Sequence, residues 1–208
     1  ESYKVESLII AATSAVREAP NGKTFIAEIK KEIGLDVELI SGAEEARLIY
    51  LGVLSGMQFG NKPHLVLDIG GGSTELILAD SSEARALTST KIGAVRLQRE
   101  FIKKDPISSQ NELFLRSFIR GSMESAIDKV SKRIEVGEIP VLVATSGTAM
   151  AIGSLISNKE NHMQTKLQGY KIKKNNLDLI VSHLIKMTPS ERSQLSSLSE
   201  RRSEIIVP

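Results

Sequence analysis

Residues 68–75 carry the strongest chemical signal in the sequence and read Asp-Ile-Gly-Gly-Gly-Ser-Thr-Glu. The glycines let a backbone turn approach an anion closely, so that consecutive amides can bind phosphate. The aspartate ends a strand-like apolar run and suits a hydrated Mg²⁺, which favours one or two carboxylates. The segment is not a Walker loop or a dinucleotide fingerprint, because a strand follows it. A glycine-rich β-hairpin explains the same residues about equally well.

Two further turns rich in hydroxyl groups follow predicted strands, at residues 13–17 and 146–148. Ligands of α/β folds bind outside the carboxyl ends of strands. Arg17 has the fork of donors that suits phosphate, and amides at a helix start after residue 148 can bind an anion. Taken alone, the first turn is better explained by capping, and the second is explained equally well by it. Together, the three turns indicate a polyanion or nucleotide site in a cleft.

Two adjacent glutamates, Glu44 and Glu45, begin a predicted helix. The stretch Ser41-Gly-Ala-Glu44 matches a capping box, which gives Glu44 a structural role. Glu45 then projects from the first helical turn, where the helix dipole favours a carboxylate. The functional alternative is a general base for water, which gains weight if the phosphate-binding turns converge on Glu45.

Apolar periodicity predicts strands alternating with helices along the chain, which is typical of an α/β fold with a mixed sheet. The turn at residues 69–74 joins two strands as a β-hairpin. Predicted strands lie at 5–14, 37–40, 64–68, 75–79, within 84–90, at 140–145 and at 203–207. Predicted helices lie at 24–33, 41–56, 93–102, 109–134, 149–156 and 177–187, with further capping signals at 109–112 and 188–191. Residues 158–169 are expected to form a mobile loop, and 57–63 a domain boundary.

Composition excludes several classes of protein. The 208 residues carry 27 Lys and Arg against 25 Asp and Glu, a net charge of +2 that gives no argument for nucleic-acid binding. The absence of cysteine excludes disulfides, cysteine-ligated metals and thiol catalysis, and it fits a cytoplasmic protein. The three histidines are far apart in sequence. No apolar run approaches the roughly 18 residues of a membrane span.

Taken together, the motifs resemble the exopolyphosphatase / guanosine pentaphosphate phosphohydrolase family. The resemblance covers nearly the whole chain and rests on the turn at 13–17, on Ile-Ser-Gly-Ala-Glu-Glu-Ala-Arg-Leu-Ile at 40–49, on residues 68–75 and on residues 144–148. Their order and spacing agree with the family. The final residues, 201–208, also resemble it.

The resemblance implies a fold of the actin-like superfamily, in which two ribonuclease-H-like α/β domains with mixed sheets and flanking helices face each other across a cleft. Residues 1–60 would be the remaining part of the first domain, and residues 61–208 the second. The family's first phosphate loop has no match here. We therefore expect the chain to be a piece of a longer protein and a poor enzyme on its own.

The implied activity is a Mg²⁺-dependent hydrolysis that releases terminal phosphate from inorganic polyphosphate or guanosine pentaphosphate in the bacterial cytoplasm. Glu45 would be the catalytic base that activates water, and Asp68 and Glu75 would hold Mg²⁺. The residues implied in binding phosphate are Thr13, Ser14, Arg17, Gly70, Gly71, Gly72, Ser73, Ser146, Gly147 and Thr148. The resemblance implies neither a nucleic-acid nor a membrane partner, and it is compatible with a homodimer.

Two other functions stay open. An actin-like ATPase or sugar kinase would need a nucleotide-dependent activity, and the Ser-Gly-x-Glu-Glu helix argues against it. A non-catalytic sensor that binds alarmones would keep the cleft without turnover, and the presence of both Glu45 and Asp68 argues against it. The sequence does not separate polyphosphate from guanosine pentaphosphate, because the scattered lysines reveal no extended basic groove.

Overall fold

The structure, a computed structural model, describes residues 5–60, 62–159 and 167–208. Its strands are β1 (Ile10–Ala12), β2 (Val37–Leu39), β3 (His64–Ile69), β4 (Thr74–Ala79), β5 (Ala84–Thr90) and β6 (Val141–Thr145). Its helices are α1 (Ser14–Glu18), α2 (Gly22–Ile33), α3 (Gly42–Gly56), α4 (Ala94–Phe101), α5 (Ser109–Ser131), α6 (Ser146–Lys159), α7 (Lys174–Lys186), α8 (Pro189–Ser193) and α9 (Glu200–Ile205). The predicted α/β class is confirmed.

A mixed sheet of four strands, in the order β5-β4-β3-β6, supports most of the predicted site residues. Strands β3, β4 and β5 pair in antiparallel fashion, and β6 pairs with β3 in parallel. The β-hairpin predicted around residues 69–74 is confirmed, with Asp68 opposite Glu75. Because Asp68 also lies opposite Thr145 of β6, the turns that follow β3 and β6 leave the sheet at the same edge.

Helices cover both faces of this sheet. Helix α3 packs on one face in a core that includes Val66 and Ile77. Helix α5 packs on the other face in a core with Leu76 and Leu78. Every residue of β4 is buried. Burial on both faces explains why β3 and β4 are nearly continuous apolar runs instead of alternating apolar and polar residues.

The connection at residues 57–63 does not separate two cores. Helix α3 precedes it and the sheet follows it, yet Tyr50, Phe59 and Val66 belong to one buried cluster. This packing fixes α3 against the sheet. The division of the chain at residue 60 stays a prediction.

The second, smaller sheet pairs β1 with β2 in parallel, with Ile10 opposite Val37. The strand predicted at 5–14 is reduced to Ile10–Ala12. It ends early because the amides of Val16 and Arg17 both donate to the Thr13 carbonyl, which starts α1 at once.

The strand predicted at residues 203–207 is wrong, because the chain forms helix α9 there. The Ser199 hydroxyl accepts a hydrogen bond from the amide of Arg202 and so caps the helix. Such a cap offsets an unpaired amide of the first turn. A short apolar run such as Ile205 to Val207 fits a buried helix end as well as a strand.

The capping box predicted at Ser41 is half formed. The amide of Glu44 donates to Ser41 Oγ at 3.1 Å. The Glu44 carboxylate instead accepts two hydrogen bonds from the Arg47 guanidinium, at 2.8 and 2.7 Å. The competing salt bridge explains why the reciprocal bond of the box is missing.

The capping signals predicted at the starts of α5 and α8 have different outcomes. The cap of α5 is Ser108, whose hydroxyl accepts from the amide of Asn111, so the capping box predicted at 109–112 is wrong and a simple serine cap stands one residue earlier. At α8 the box between Thr188 and Glu191 is complete. Helix α6 continues through Lys159, so residues 158 and 159 of the predicted loop are helical. Residues 160–166 of that prediction lie outside the described residues. In the described ranges, no helix has both the length and the apolar character needed to cross a bilayer.

Candidate active site

The glycine turn, residues 70–73, connects β3 to β4 and is held by the start of helix α4. The amide of Gly70 donates to the Ser73 carbonyl at 2.9 Å and closes the turn. From α4, the amide of Ala94 donates to the Gly70 carbonyl at 2.9 Å, and that of Val95 to the Gly71 carbonyl at 3.0 Å. Backbone hydrogen bonds therefore fix the turn from one side.

The amide N–H groups of the glycine turn point away from helix α4. Arg96 Nε donates to the Gly72 carbonyl at 3.2 Å, so the carbonyls of residues 70–72 all face α4. Because a trans peptide is planar, each N–H points opposite to the C=O of the same peptide. The amides of Gly71, Gly72 and Ser73 therefore point away from α4. Consecutive amides on one side of a turn form a nest that binds anions.

Gly93, the N-cap of α4, allows this close approach. A Cβ at Gly93 would lie 2.5 Å from both the Gly71 oxygen and the Gly72 nitrogen. Those atoms are backbone and cannot rotate away, so this position requires glycine.

Helix α1 contacts the glycine turn from another direction. Ser14 is buried, and a Cβ placed on Gly72 would lie 2.6 Å from its Oγ. Thr13 is the N-cap residue of α1, and its hydroxyl makes no capping bond. Two of the three turns singled out in the sequence are thus in contact.

The proposed base and the proposed phosphate ligand form an ion pair. Arg17 Nη1 and Nη2 both lie 3.2 Å from Glu45 Oε2, and Nη1 also donates to the Ile40 carbonyl at 2.8 Å. The two side chains are 22% and 17% exposed, so solvent screens the pair less than it would screen a surface pair. Both contacts of the pair are made to Oε2 of the Glu45 carboxylate.

Three carboxylates interact around the glycine turn. Burial raises the pKa of the Asp68 carboxyl, and the Glu45 carboxylate raises that pKa further. Burial also raises the pKa of Glu75, hydrogen bonds from Ser89 and Ser73 oppose the rise, and the carboxylates of Glu45 and Asp68 add to it. A bound cation would relieve this repulsion.

Acidic side chains alone do not complete a metal cage in this region. Among the described residues, no three His, Asp or Glu side chains are grouped closely enough to hold a metal ion. Mg²⁺ keeps most of its waters and takes one or two carboxylates together with phosphate oxygens. Asp68, at the end of β3, fits that role better than Glu75, whose side chain is 1% exposed and bound by Ser89.

Residues 146–148, predicted as a turn before a helix, form the first turn of α6 instead, directly after β6 at the same sheet edge. We call this segment the third loop. Ser146 has a left-handed φ of 76°, which is uncommon for a residue other than glycine, and its hydroxyl donates to the Ile69 carbonyl at 3.1 Å. Arg202 Nη1 donates to Thr148 Oγ1 at 3.1 Å. The Arg202 guanidinium fills the space beside Gly147 that a side chain there would need.

An open depression of about 360 Å³ lies beside the third loop. Its lining residues are Gly147, Met150, Ala151, Ser154, Leu167, Ser197, Ser199 and Arg202. The depression is open to solvent, so a group bound in it would stay partly exposed.

Sequence reasoning missed Ser89, Gly93 and the position of Arg202. Gly93 had a usable signal, since a glycine at a predicted helix start without a hydroxyl cap suggests close packing. Ser89 had none, because its contact with Glu75 depends on the register of β4 and β5. Arg202 lies within the terminal residues 201–208 that resemble the family, but that resemblance gave it no role.

Comparisons with known proteins identify the family of the chain. The model of the Ppx/GppA phosphatase family matches residues 1–208. The chain belongs to that family. Exopolyphosphatase 1 of Mycobacterium leprae is 30% identical over 200 residues, covering 96% of this chain and 58% of that protein. Guanosine-5′-triphosphate,3′-diphosphate pyrophosphatase of Aliivibrio fischeri is 35% identical over 156 residues, covering 75% of this chain and 30% of that protein.

Solved structures of the Ppx/GppA family resemble the fold closely. An exopolyphosphatase from Cytophaga hutchinsonii superimposes with a TM-score of 0.85 at 27% identity, covering 96% of this chain and 63% of that chain. The Aquifex aeolicus family member gives a TM-score of 0.76 at 26% identity, covering 98% and 63%. The chain thus spans less than two thirds of the length of these relatives.

Proposed function

We propose that the protein hydrolyses terminal phosphoanhydride bonds and releases phosphate from inorganic polyphosphate or guanosine pentaphosphate. The observation that supports this most is the Arg17–Glu45 pair, placed on helices that contact the glycine turn and its sheet. A cation and a carboxylate beside a nest of amides provide a phosphate ligand, a base and charge stabilisation together. The names of the relatives concern the same chemistry.

Substrate binding would release the base. A terminal phosphate offers Arg17 two oxygens and therefore competes with the Glu45 carboxylate for its fork of donors. Once Arg17 turns to the phosphate, Glu45 can accept a proton from the attacking water. The ion pair would then keep the base inactive until a phosphate arrives.

The amides of residues 71–73 would bind the transferred group. Charge spreads over the equatorial oxygens of phosphorus during transfer, and catalysis comes mainly from positioning and electrostatic stabilisation. These amides are fixed in advance by α4, so they need no reorganisation during the reaction. Ser14 borders the same turn and adds a hydroxyl.

Magnesium would bind at Asp68. When bound, it would neutralise part of the substrate's charge. Asp68 would hold the ion through its carboxylate, and Glu75 would lie behind the glycine turn. Burial and, after it, the Glu45 carboxylate raise the pKa of Asp68, and a cation at this place would offset both effects.

The depression beside the third loop distinguishes the two substrates. Guanosine pentaphosphate carries a nucleoside that can fill it, with Arg202 forming one wall. Polyphosphate has no such group. We infer that guanosine pentaphosphate uses both the glycine turn and the third loop, whereas polyphosphate uses the glycine turn.

The test is phosphate release by the full-length protein with Mg²⁺ from long-chain polyphosphate, guanosine pentaphosphate and ATP. The proposal expects release from at least one of the first two to exceed release from ATP. Faster hydrolysis of ATP would favour an ATPase or sugar kinase. Tight binding of guanosine tetraphosphate without any phosphate release would favour a sensor.

A further inference from the structure

Ser89 of β5 donates a hydrogen bond to a buried carboxylate of the site. The register of β4 and β5 sets Ser89 directly opposite Glu75. Its Oγ lies 2.7 Å from Glu75 Oε1. Glu75 is 1% exposed, and a buried carboxylate needs hydrogen bonds to stay charged. A serine hydroxyl has one proton to donate, and here that proton goes to Glu75.

Glu75 connects Ser89 to the glycine turn. Ser73, the last residue of the turn, lies close enough that its side chain lowers the pKa of the Glu75 carboxyl by hydrogen bonding. Ser73 carries one of the amides that face away from α4. The orientation of the Glu75 carboxylate therefore bears on the position of the turn.

Ser89 also sets the position of helix α3. A Cβ on Gly42, the first residue of α3, would lie 2.6 Å from Ser89 Cβ and 2.7 Å from its Oγ. Helix α3 and β5 are thus as close as a glycine and a serine allow. Glu45 lies in the first turn of the same helix. A larger residue at either position would move the carboxylate of Glu45.

We propose that Ser89 is a positioning residue for phosphate release. Its hydroxyl orients the Glu75 carboxylate behind the glycine turn, and its small side chain places the first turn of α3 that carries Glu45. The inference rests on the proposed function. Ser89 acts through Glu75 and α3.

The first test compares two hydroxyl deletions on β5 of the full-length protein. Ser89→Ala removes the bond to Glu75, and Thr88→Val removes the neighbouring buried bond from Thr88 Oγ1 to the Leu76 carbonyl, 2.7 Å long. Adjacent residues of a strand face opposite sides, so the control acts away from the site. Both variants should lower the urea midpoint of unfolding.

Turnover should separate the two variants. Ser89→Ala should lower kcat with polyphosphate or guanosine pentaphosphate by roughly ten- to hundred-fold, with little change in KM, as loss of an orienting partner does. Thr88→Val should leave kcat near the wild-type value. Equal kcat values for the two variants, or a Ser89→Ala effect confined to KM, would overturn the proposal.

The second test needs no activity. Gly42→Ala should lower the urea midpoint, because its new methyl meets Ser89, and the same change should have no such effect in a Ser89→Gly background. Additive midpoint shifts would overturn the placement of α3 by Ser89. If the wild-type protein released no phosphate from either substrate, the proposed function would fail. The urea midpoints of the Gly42 and Ser89 variants would still show whether Ser89 packs against the start of α3.

Discussion

Two turns at the same edge of the four-stranded sheet are held in opposite ways. Backbone amides of α4 fix the glycine turn, residues 70–73, and Gly93 lets them approach. A side chain, that of Arg202, holds the third loop, residues 146–148. A side chain added at Gly93 would meet backbone of the first turn, whereas one added at Gly147 would meet the end of the Arg202 side chain. The two segments should therefore differ in how they tolerate substitution.

The largest effect should come from Gly93→Ala. The new methyl would overlap the backbone of Gly71 and Gly72, which cannot move aside without distorting the turn. We expect a loss of about 1–3 kcal/mol in the free energy of unfolding, as in other overpacked sites, together with loss of phosphate release. Urea unfolding of the full-length protein measures the first effect.

Gly121→Ala is the matched control for this substitution. Gly121 lies in the exposed part of α5, and a Cβ there meets no atom within 4 Å. Alanine in a helix interior should stabilise the protein by up to about 1 kcal/mol. Similar changes in the free energy of unfolding for the two substitutions would show that α4 is not tightly packed against the glycine turn.

An intermediate effect is expected for Arg202→Ala. The change removes the hydrogen bond to Thr148 and one wall of the depression. With guanosine pentaphosphate, kcat/KM should fall by roughly tenfold, the equivalent of one charged hydrogen bond. With polyphosphate it should stay close to the wild-type value. The exposed neighbour Arg201, changed to Ala, is the control, and equal losses on both substrates would refute the separate role of the third loop.

The smallest effect should come from Gly147→Ala. The new methyl would overlap the Arg202 guanidinium, but that group is the end of a flexible side chain and can move away. The free energy of unfolding should change by about 0.5 kcal/mol or less, as for most surface substitutions. A destabilisation as large as that of Gly93→Ala would mean that Arg202 is as rigid as backbone.

The sequence was most informative where a motif is local. The hairpin around the glycine turn and the alternation of strands with helices were predicted correctly, because the signals lie within a few residues of each other. The contact of Arg17 with Glu45 joins α1 to α3, which are separated along the chain by α2 and β2, and no local pattern predicts it.

The sequence was least informative where packing decides. Residues 203–207 have the apolar character of a strand, yet the cap at Ser199 begins a helix before them. Glu44 was expected to complete a capping box, but Arg47 on the same helix competes for its carboxylate. Ser89 has no signal of its own, since its role comes from Glu75 across the sheet.

The most direct test of the account compares two adjacent glutamates of α3. Glu45→Gln in the full-length protein should lower kcat for phosphate release by roughly 10²- to 10⁴-fold, the usual contribution of a general base. Glu44→Gln is the control, because Glu44 pairs with Arg47 at the surface, and it should leave kcat nearly unchanged. Unchanged turnover in a folded Glu45→Gln variant, or equal losses in both, would contradict the assignment of Glu45 as the base.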